Sequence, residues 1–490
     1  EACRAAGVAV RADLLEILVE AGLASGTQER WTLDRDVLGA LLGGVVGAGD
    51  GSAFVYALRA LQEPGRVTIR DAVRIRAFCE RWARYAPLTH EAMLLLARSR
   101  IQLGQAEEAN RLLTDLARSP AVPIGLRTLA VTRLRTPPAE RRRVVELVAR
   151  DTETEEQRAR IELARAIVLC AESRENDALD VLETALRTYR GLPPTLVLQM
   201  RLVHCQVACA RSADPAHVEA AERLVLEVVP LGELDIELLG RHVHACALGW
   251  NGRKEEAVHA FITAARVSRR VGHITRCSEE LQQAARCSLD LGDASALPLL
   301  LASLHVHQGA DVSTRTTCAY LALHHLRAGH RELADRWYRL TSDEPGERAW
   351  AWYLLEAAVL QRISLPPGFQ VPGRPCFAAS EAWRAQLRLV EARAQEGHDV
   401  EEGLRALQVP AGQAEAVRAA LYERLTGRPT GAADAIRAIE PRRRLWETRR
   451  ELELLGVRSE PGELEVDLEG FHVPDELTVL RGLEATMDGA

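Results

Sequence analysis

Over most of the chain the apolar residues fall three and four positions apart, and the pattern breaks at short turns marked by glycine. In HEAMLLLARSRIQLGQAEEANRLLTDLA this spacing predicts a helix, a turn at Gly104 and a second helix. The same layout returns around Gly252 and Gly329, and a weaker copy has Ser173 where the glycine would stand.

Aligned on the turn, each copy carries a small residue in its first helix, an alanine twelve residues later in its second, and then a large apolar residue. The triplets are Ala97, Ala109 and Leu113; Ala166, Ala178 and Leu182; Ala245, Ala257 and Phe261; Ala322, Ala334 and Tyr338. Two antiparallel helices need small residues where they approach closely, and a large residue fills the groove beside the crossing. These residues resemble the signature of the tetratricopeptide repeat. Degenerate copies surround Gly292 and Gly427, and the resemblance covers about residues 50 to 440. The spacing from Ala178 to Ala334, by way of a position near Ala221, Ala257 and Leu297, averages 39 residues, longer than the 34 of the standard repeat. That length resembles the sensor region of the maltose-regulator class of bacterial signal-transduction (STAND) ATPases.

Residues 1–48 differ. The stretch from Ala12 to Ala21 reads as a helix ending at Gly22, followed by a small hairpin with Gly26 at its tip and Trp31 and Leu33 alternating inward. Helix, glycine and hairpin resemble the winged-helix segment that follows the nucleotide-binding domain in those ATPases. Its helix carries Asp13, Glu16 and Glu20, which phosphates would repel, so a packing wing is expected rather than a DNA reader. Repeats are expected over 49–363. A proline- and glycine-rich loop, SLPPGFQVPGRPCF, interrupts them at 364–377, because those residues forbid regular helix. Further hairpins are expected over 378–456, and 457–490, with its strand-like LEVDLE, as the possible start of a next domain.

Composition narrows the function. Of 490 residues 47% are hydrophobic and 4% aromatic, and 62 basic against 69 acidic residues give a net charge of −7. The acidity, without a clustered basic face, argues against nucleic acid as the main partner. No apolar run is long enough for a membrane span and no signal-peptide pattern opens the chain, so a cytoplasmic protein is expected. The first residue is Glu1 and the alternating pattern near the end has only begun, which reads as a piece of a longer polypeptide. Lys254 is the only lysine. It lies in NGRKEEA, without the second glycine or the hydroxyl residue of a phosphate-binding loop.

Ten scattered cysteines do not form a disulfide framework. Cys205 and Cys209, with His204, and His242 and Cys246, with His244, would share helix faces in pairs. A zinc site between neighbouring helices would use such ligands, but the preferred reading is that the cysteines are small buried packing residues, and neither metal nor cofactor is expected. Of other catalytic patterns, G-x-S-x-G, H-E-x-x-H, C-x-x-C and a strand-to-helix G-x-G-x-x-G are missing, and the carboxylates are spaced as solvent faces of helices. A non-enzymatic role is expected.

Two arginine runs stand out: Arg141 to Arg143, and Arg442 to Arg444 followed by Trp446, Arg449 and Arg450. Both read as solvated faces, offset in the second by Glu447 and Glu451, or, for the second, as a docking helix for a following domain. Trp337, Tyr338, Trp350, Trp352 and Tyr353 concentrate scarce aromatics into two hairpins. His324, His325, Trp350, Trp352 and Tyr353 are the candidate partner-binding residues, because an aromatic cluster with polar neighbours on inward-turned helices is the mix that binding sites use. A core role is the alternative for the same stripe.

The expected fold is all-α: a right-handed superhelix of tetratricopeptide-like hairpins with a winged-helix-like unit at its start. Its concave face would take a protein, a peptide or a small inducer. The resemblance implies the sensor arm of a signal-transduction ATPase or transcriptional regulator whose nucleotide-binding domain lies outside this chain. A freestanding adaptor that assembles other proteins is the alternative.

Overall fold

A computed structural model describes residues 24–27 and 30–33 and, with short gaps, residues 75–488. Apart from one two-stranded hairpin the described residues form an all-helical chain of twenty-one α-helices. None of them is long and apolar enough to cross a membrane.

The hairpin pairs β1 (Ala24–Thr27) with β2 (Arg30–Leu33). Its register sets Gly26 opposite Trp31 and Thr27 opposite Arg30. Gly26 therefore lies within the first strand, not at the tip, which corrects the sequence reading. The remainder of the expected winged-helix-like unit over 1–48 lies outside the described residues.

The first nine helices are α1 (His90–Gln102), α2 (Ala106–Arg118), α3 (Ile124–Arg133), α4 (Pro138–Ala149), α5 (Glu155–Ala171), α6 (Glu175–Thr188), α7 (Pro194–Arg211), α8 (Pro215–Val228) and α9 (Leu234–Trp250). Then come α10 (Lys254–Arg270), α11 (Ile274–Leu291), α12 (Ala296–His307), α13 (Arg315–Arg327), α14 (Arg331–Arg339) and α15 (Arg348–Gln361). From α1 to α14 each packs on its sequence neighbours, as their short connections require, and α15 packs on α13. Local chemistry sets the ends. Thr154 and Gln157 form a reciprocal capping box at the start of α5. Gly252 and Gly329, in the turns of two expected hairpins, have φ of 78° and 81°, a region that other residues enter at a cost.

The alanines of all four triplets have no exposed surface, and Leu113, Leu182 and Phe261 are fully buried beside them. The fourth triplet departs from the pattern: Tyr338 is partly buried, and the fully buried residue is Trp337. Helix α5 shows why the chain keeps stacking. Its Ile161, Ala164 and Val168 pack into the cluster formed with α1 to α4, while Ala159, Leu163 and Ala166 pack into the cluster formed with α6 and α7. A helix apolar on two faces must be sandwiched between neighbours to bury both.

After α15 the helical path stops at Arg362, a non-glycine residue with φ of 55°, next to the expected proline-rich loop. Helices α16 (Ala379–Gln395), α17 (Glu401–Ala406), α18 (Gln413–Thr426), α19 (Ala432–Arg437) and α20 (Trp446–Leu454) follow. They do not lead away from the array. Helix α20 packs on α11, and the Trp446 ring sits under the guanidinium groups of Arg327, Arg388 and Arg450 at 4.3, 5.1 and 5.8 Å. Glu447 and Glu451, expected to offset a solvated face, are buried, as are Glu280, Glu356 and Glu391. The expectation that carboxylates line solvent faces fails for these five because each meets a buried or partly buried arginine or histidine from another part of the chain or from a neighbouring turn.

The stretch from Leu464 and the last helix, α21 (Glu476–Asp488), run back over the array. The backbone N–H of Leu464 donates to Asp293 at 2.8 Å, Arg266 pairs with Asp467 at 2.5 Å, and Arg269 lies over the Phe471 ring at 5.6 Å. The LEVDLE segment thus has no strand partner among the described residues and packs on this chain's own helices.

Candidate functional site

Two cavities merit comparison. The larger, of about 480 Å³, lies between α6, α7 and α8 and includes Cys205 and His204 in its wall. Its polar side chains are satisfied from within the chain. Arg201 pairs with Glu227, His204 lies 3.3 Å from Glu183, and His217 lies 3.1 Å from the Ser212 hydroxyl. The Cys205 and Cys209 sulfurs are 4.0 Å apart, and their contact lowers the Cys205 thiol and raises the Cys209 thiol.

The second cavity, of about 360 Å³, is built differently. Helices α1, α3, α4, α5, α9 and α11 converge on it. Its most distant walls in sequence meet directly: Thr275 of α11 donates from its hydroxyl to the Ile101 carbonyl of α1 at 3.2 Å, across 174 residues. Leu103 and Ile274 form a small buried contact beside that bond, and Arg98 pairs with Asp235 of α9 at 2.9 Å. The array therefore closes on itself around the cavity.

Four arginines line it, Arg98, Arg133, Arg141 and Arg276, against a single carboxylate, Asp235. Arg98 holds that carboxylate. Arg276 is held by Glu280 at 2.8 Å and Glu279 at 3.3 Å. Arg141 donates to the Thr132 carbonyl at 3.3 Å. His273 caps α11, its Nδ1 accepting from the Arg276 backbone N–H at 3.3 Å. Arg133, in the last turn of α3, makes no hydrogen bond or ion pair among the described residues. Burial, and then the charges of Arg98 and Arg160, lower its pKa, and Asp235 acts in the opposite sense. Ile101, Leu134, Ile167, Leu238 and Leu239 supply an apolar wall.

Arg276 also ties the cavity to a buried cysteine and histidine cluster. His242 Nδ1 lies 3.0 Å from Glu280 and its Nε2 lies 3.4 Å from the Cys246 sulfur. Burial and Arg276 pull this imidazole down, yet Cys246 and Glu280 outweigh them and push it up to about 9. The shared face expected of His242 and Cys246 is present. Among the described residues, no three of histidine, cysteine, aspartate and glutamate are grouped to hold a metal ion.

The nominated partner-binding residues lie elsewhere. Trp352, Tyr353 and His325 are buried, at 4%, 4% and 2% exposure, and His324 is half-buried. The Trp350 side chain lies outside the described residues. Tyr338 and Tyr353 stack at 4.1 Å, and Tyr353 donates to Asp335 at 3.3 Å. Burial, followed by the neighbouring His325, depresses the His324 imidazole to about 4. The face near these residues is already covered: Trp337 Nε1 donates to Glu476 of α21 at 2.8 Å, and His325 Nε2 lies 2.5 Å from the same carboxylate. Trp352 lies under the Arg384 guanidinium at 5.1 Å and Tyr353 against Tyr338 and Asp335, so the buried aromatics pack within the chain, while Trp337 and His325 meet its own last helix.

Sequence reasoning missed the arginine-lined cavity. Its one local signal was the Arg141 to Arg143 run, read as a solvated face. Arg142 and Arg143 are exposed, but Arg141 turns inward. No protein-family model matches the chain, and comparison with curated proteins and with solved structures finds no match either.

Proposed function

We propose that this chain is a non-catalytic, ligand-binding repeat scaffold: a superhelix of tetratricopeptide-like hairpins serving as the sensor arm of a bacterial signal-transduction ATPase or transcriptional regulator. The observation that carries the ligand-binding part is the closure of α1 on α11 around the arginine-lined cavity. A site assembled from helices 174 residues apart responds as a unit, because a molecule that fills it touches the beginning and the middle of the array together. Binding there would stabilise one curvature of the stacked hairpins over others, and such a difference in affinity between two states is what a sensor needs. The buried alanine and large-residue triplets support the repeat reading. In this reading residues 1–48 form a winged-helix-like unit that couples the array to an upstream nucleotide-binding domain.

The test is the natural reading frame around this segment. A phosphate-loop motif upstream of Glu1 supports the sensor arm, and a natural start at Glu1 replaces it with the freestanding adaptor.

A further inference from the structure

We propose that the cavity between α1, α3 and α11 binds a small organic anion, a carboxylate or phosphate carried on a short apolar body, with Arg133 as the residue that meets the charge. This inference rests on reading the cavity as a ligand site and adds the chemical class of the ligand.

Three observations converge on it. Arg133 stands without a hydrogen-bonding or ionic partner among the described residues, while the one carboxylate in the lining, Asp235, is held by Arg98 at 2.9 Å. A guanidinium cannot shed its charge by deprotonating. Arg133 is half-buried, so its guanidinium keeps only part of its hydration and has no ionic partner among the described residues, and its planar fork suits a carboxylate or phosphate through two parallel hydrogen bonds. The second observation is the balance of the lining, four arginines to one acid; Glu279 and Glu280 behind Arg276 offset part of that excess, and the remaining positive charge, centred on Arg133, favours an anion over a cationic ligand. The third is the wall formed by Ile101, Leu134, Ile167 and Leu238. It offers no hydrogen bond from its side chains and so selects an apolar body. At about 360 Å³ the cavity lies near the small end of ligand sites, which run from roughly 300 to 1,000 Å³. Asp235 sets an upper limit on charge, since its carboxylate would repel a polyphosphate chain extending past Arg133.

The experiment is calorimetric titration of the chain at low ionic strength with inorganic phosphate, with hexanoate and with its neutral analogue hexanamide. The parent is compared with Arg133→Gln, Arg133→Lys and Ile167→Trp. Thermal melts of each protein without ligand establish that it is folded. Saturable binding of hexanoate or phosphate, weakened at least tenfold by Arg133→Gln, partly restored in Arg133→Lys and undetected for hexanamide, is expected. Ile167→Trp, which fills the cavity, should reduce hexanoate binding by a similar factor. Equal binding of hexanoate and hexanamide, unaffected by Arg133→Gln but lost in Ile167→Trp, would overturn the anion while keeping the cavity as a ligand site. Absence of binding by every probe, or binding that neither Arg133→Gln nor Ile167→Trp alters, would overturn both.

Discussion

Lys254 Nζ lies 2.9 Å from Asp290 Oδ2, with the two side chains 5% and 10% exposed. The chain's only lysine is thus buried in an ion pair between α10 and α11. Asp290 is shared: Arg384 of α16 donates to its other oxygen at 2.7 Å and to Glu447 of α20 at 2.6 Å. From there Arg327 reaches Glu356 at 2.7 Å, and Arg388 and Arg450 reach Glu391 at 2.6 and 2.9 Å. A continuous ionic joint therefore fastens α16 to α20 onto the array.

Removing one member of such a joint leaves a buried charge short of a partner, which costs about 3–5 kcal/mol. Lys254→Met should lower stability toward the lower end of that range, since Arg384 still faces Asp290. Urea denaturation of parent and variant measures it. The same burial predicts that an amine-reactive reagent labels Lys254 only after denaturation, and rapid labelling of the native chain would contradict the pairing.

Acid should loosen this joint before it affects the apolar clusters. Burial by itself would raise the carboxylates of Asp290, Glu447 and Glu391, but the arginines around them, with Lys254 beside Asp290, reverse the direction, and Glu391 is pulled from 4.5 to about 2. A carboxyl with a depressed folded pKa stabilises fully above its unfolded value. Its contribution is lost as pH falls through the folded one, so for Glu391 the window runs from 4.5 down to about 2. The urea midpoint should fall across that interval, and Glu391→Gln should make the fall shallower. A midpoint constant down to pH 3 would show that the joint contributes nothing net.

Gly292 closes α11 with φ of 66°, and a Cβ built there would stand 2.8 Å from Cδ1 of Trp446. Gly252 has φ of 78° and open space around the same position. Alanine at Gly252 should cost only the left-handed conformation, about 1–2 kcal/mol. At Gly292 it should cost about 1–3 kcal/mol more, because the Trp446 ring must move. Equal losses, measured by thermal melts of the two variants, would show that α20 does not seat against the end of α11.

These cases separate what was legible in the sequence from what was not. The pairing of Ala257 with Ala245 and Phe261 could be read because a close helix crossing imposes small and large residues at fixed local spacing, and all three are fully buried. The ionic joint could not be read, since Asp290 and Arg384 are 94 residues apart and Arg384 and Glu447 another 63, beyond any helical periodicity. Arg133, Arg98 and Arg276 converge for the same reason only after six helices have stacked. The aromatic concentration around Trp337 was visible, but the partner of Trp337 was not, because Glu476 of α21 lies more than a hundred residues further along.

That partner yields the last prediction. Glu476 accepts from Trp337 and lies against His325, and Arg336 holds Glu484 two turns later through bonds of 2.9 and 2.7 Å. Leu480, between them in α21, is fully buried. The Arg336 and Glu484 pair is a third exposed and so contributes little. Glu476 is the stronger attachment: burial opposes its charge, but the His325 and Trp337 hydrogen bonds hold its pKa below the ordinary value. Glu476→Ala should leave the indole N–H of the buried Trp337 without its acceptor, at about 1–3 kcal/mol. The loss should fall on α21 before the rest of the protein, because the array keeps its own apolar contacts. Hydrogen exchange resolved by peptide should show faster exchange over residues 476–488 in Glu476→Ala, with α9 to α11 unchanged. Glu484→Ala should produce a much smaller change. If Glu476→Ala instead accelerates exchange equally in α13 and α14, then α21 is an integral layer of the core rather than a helix docked upon it.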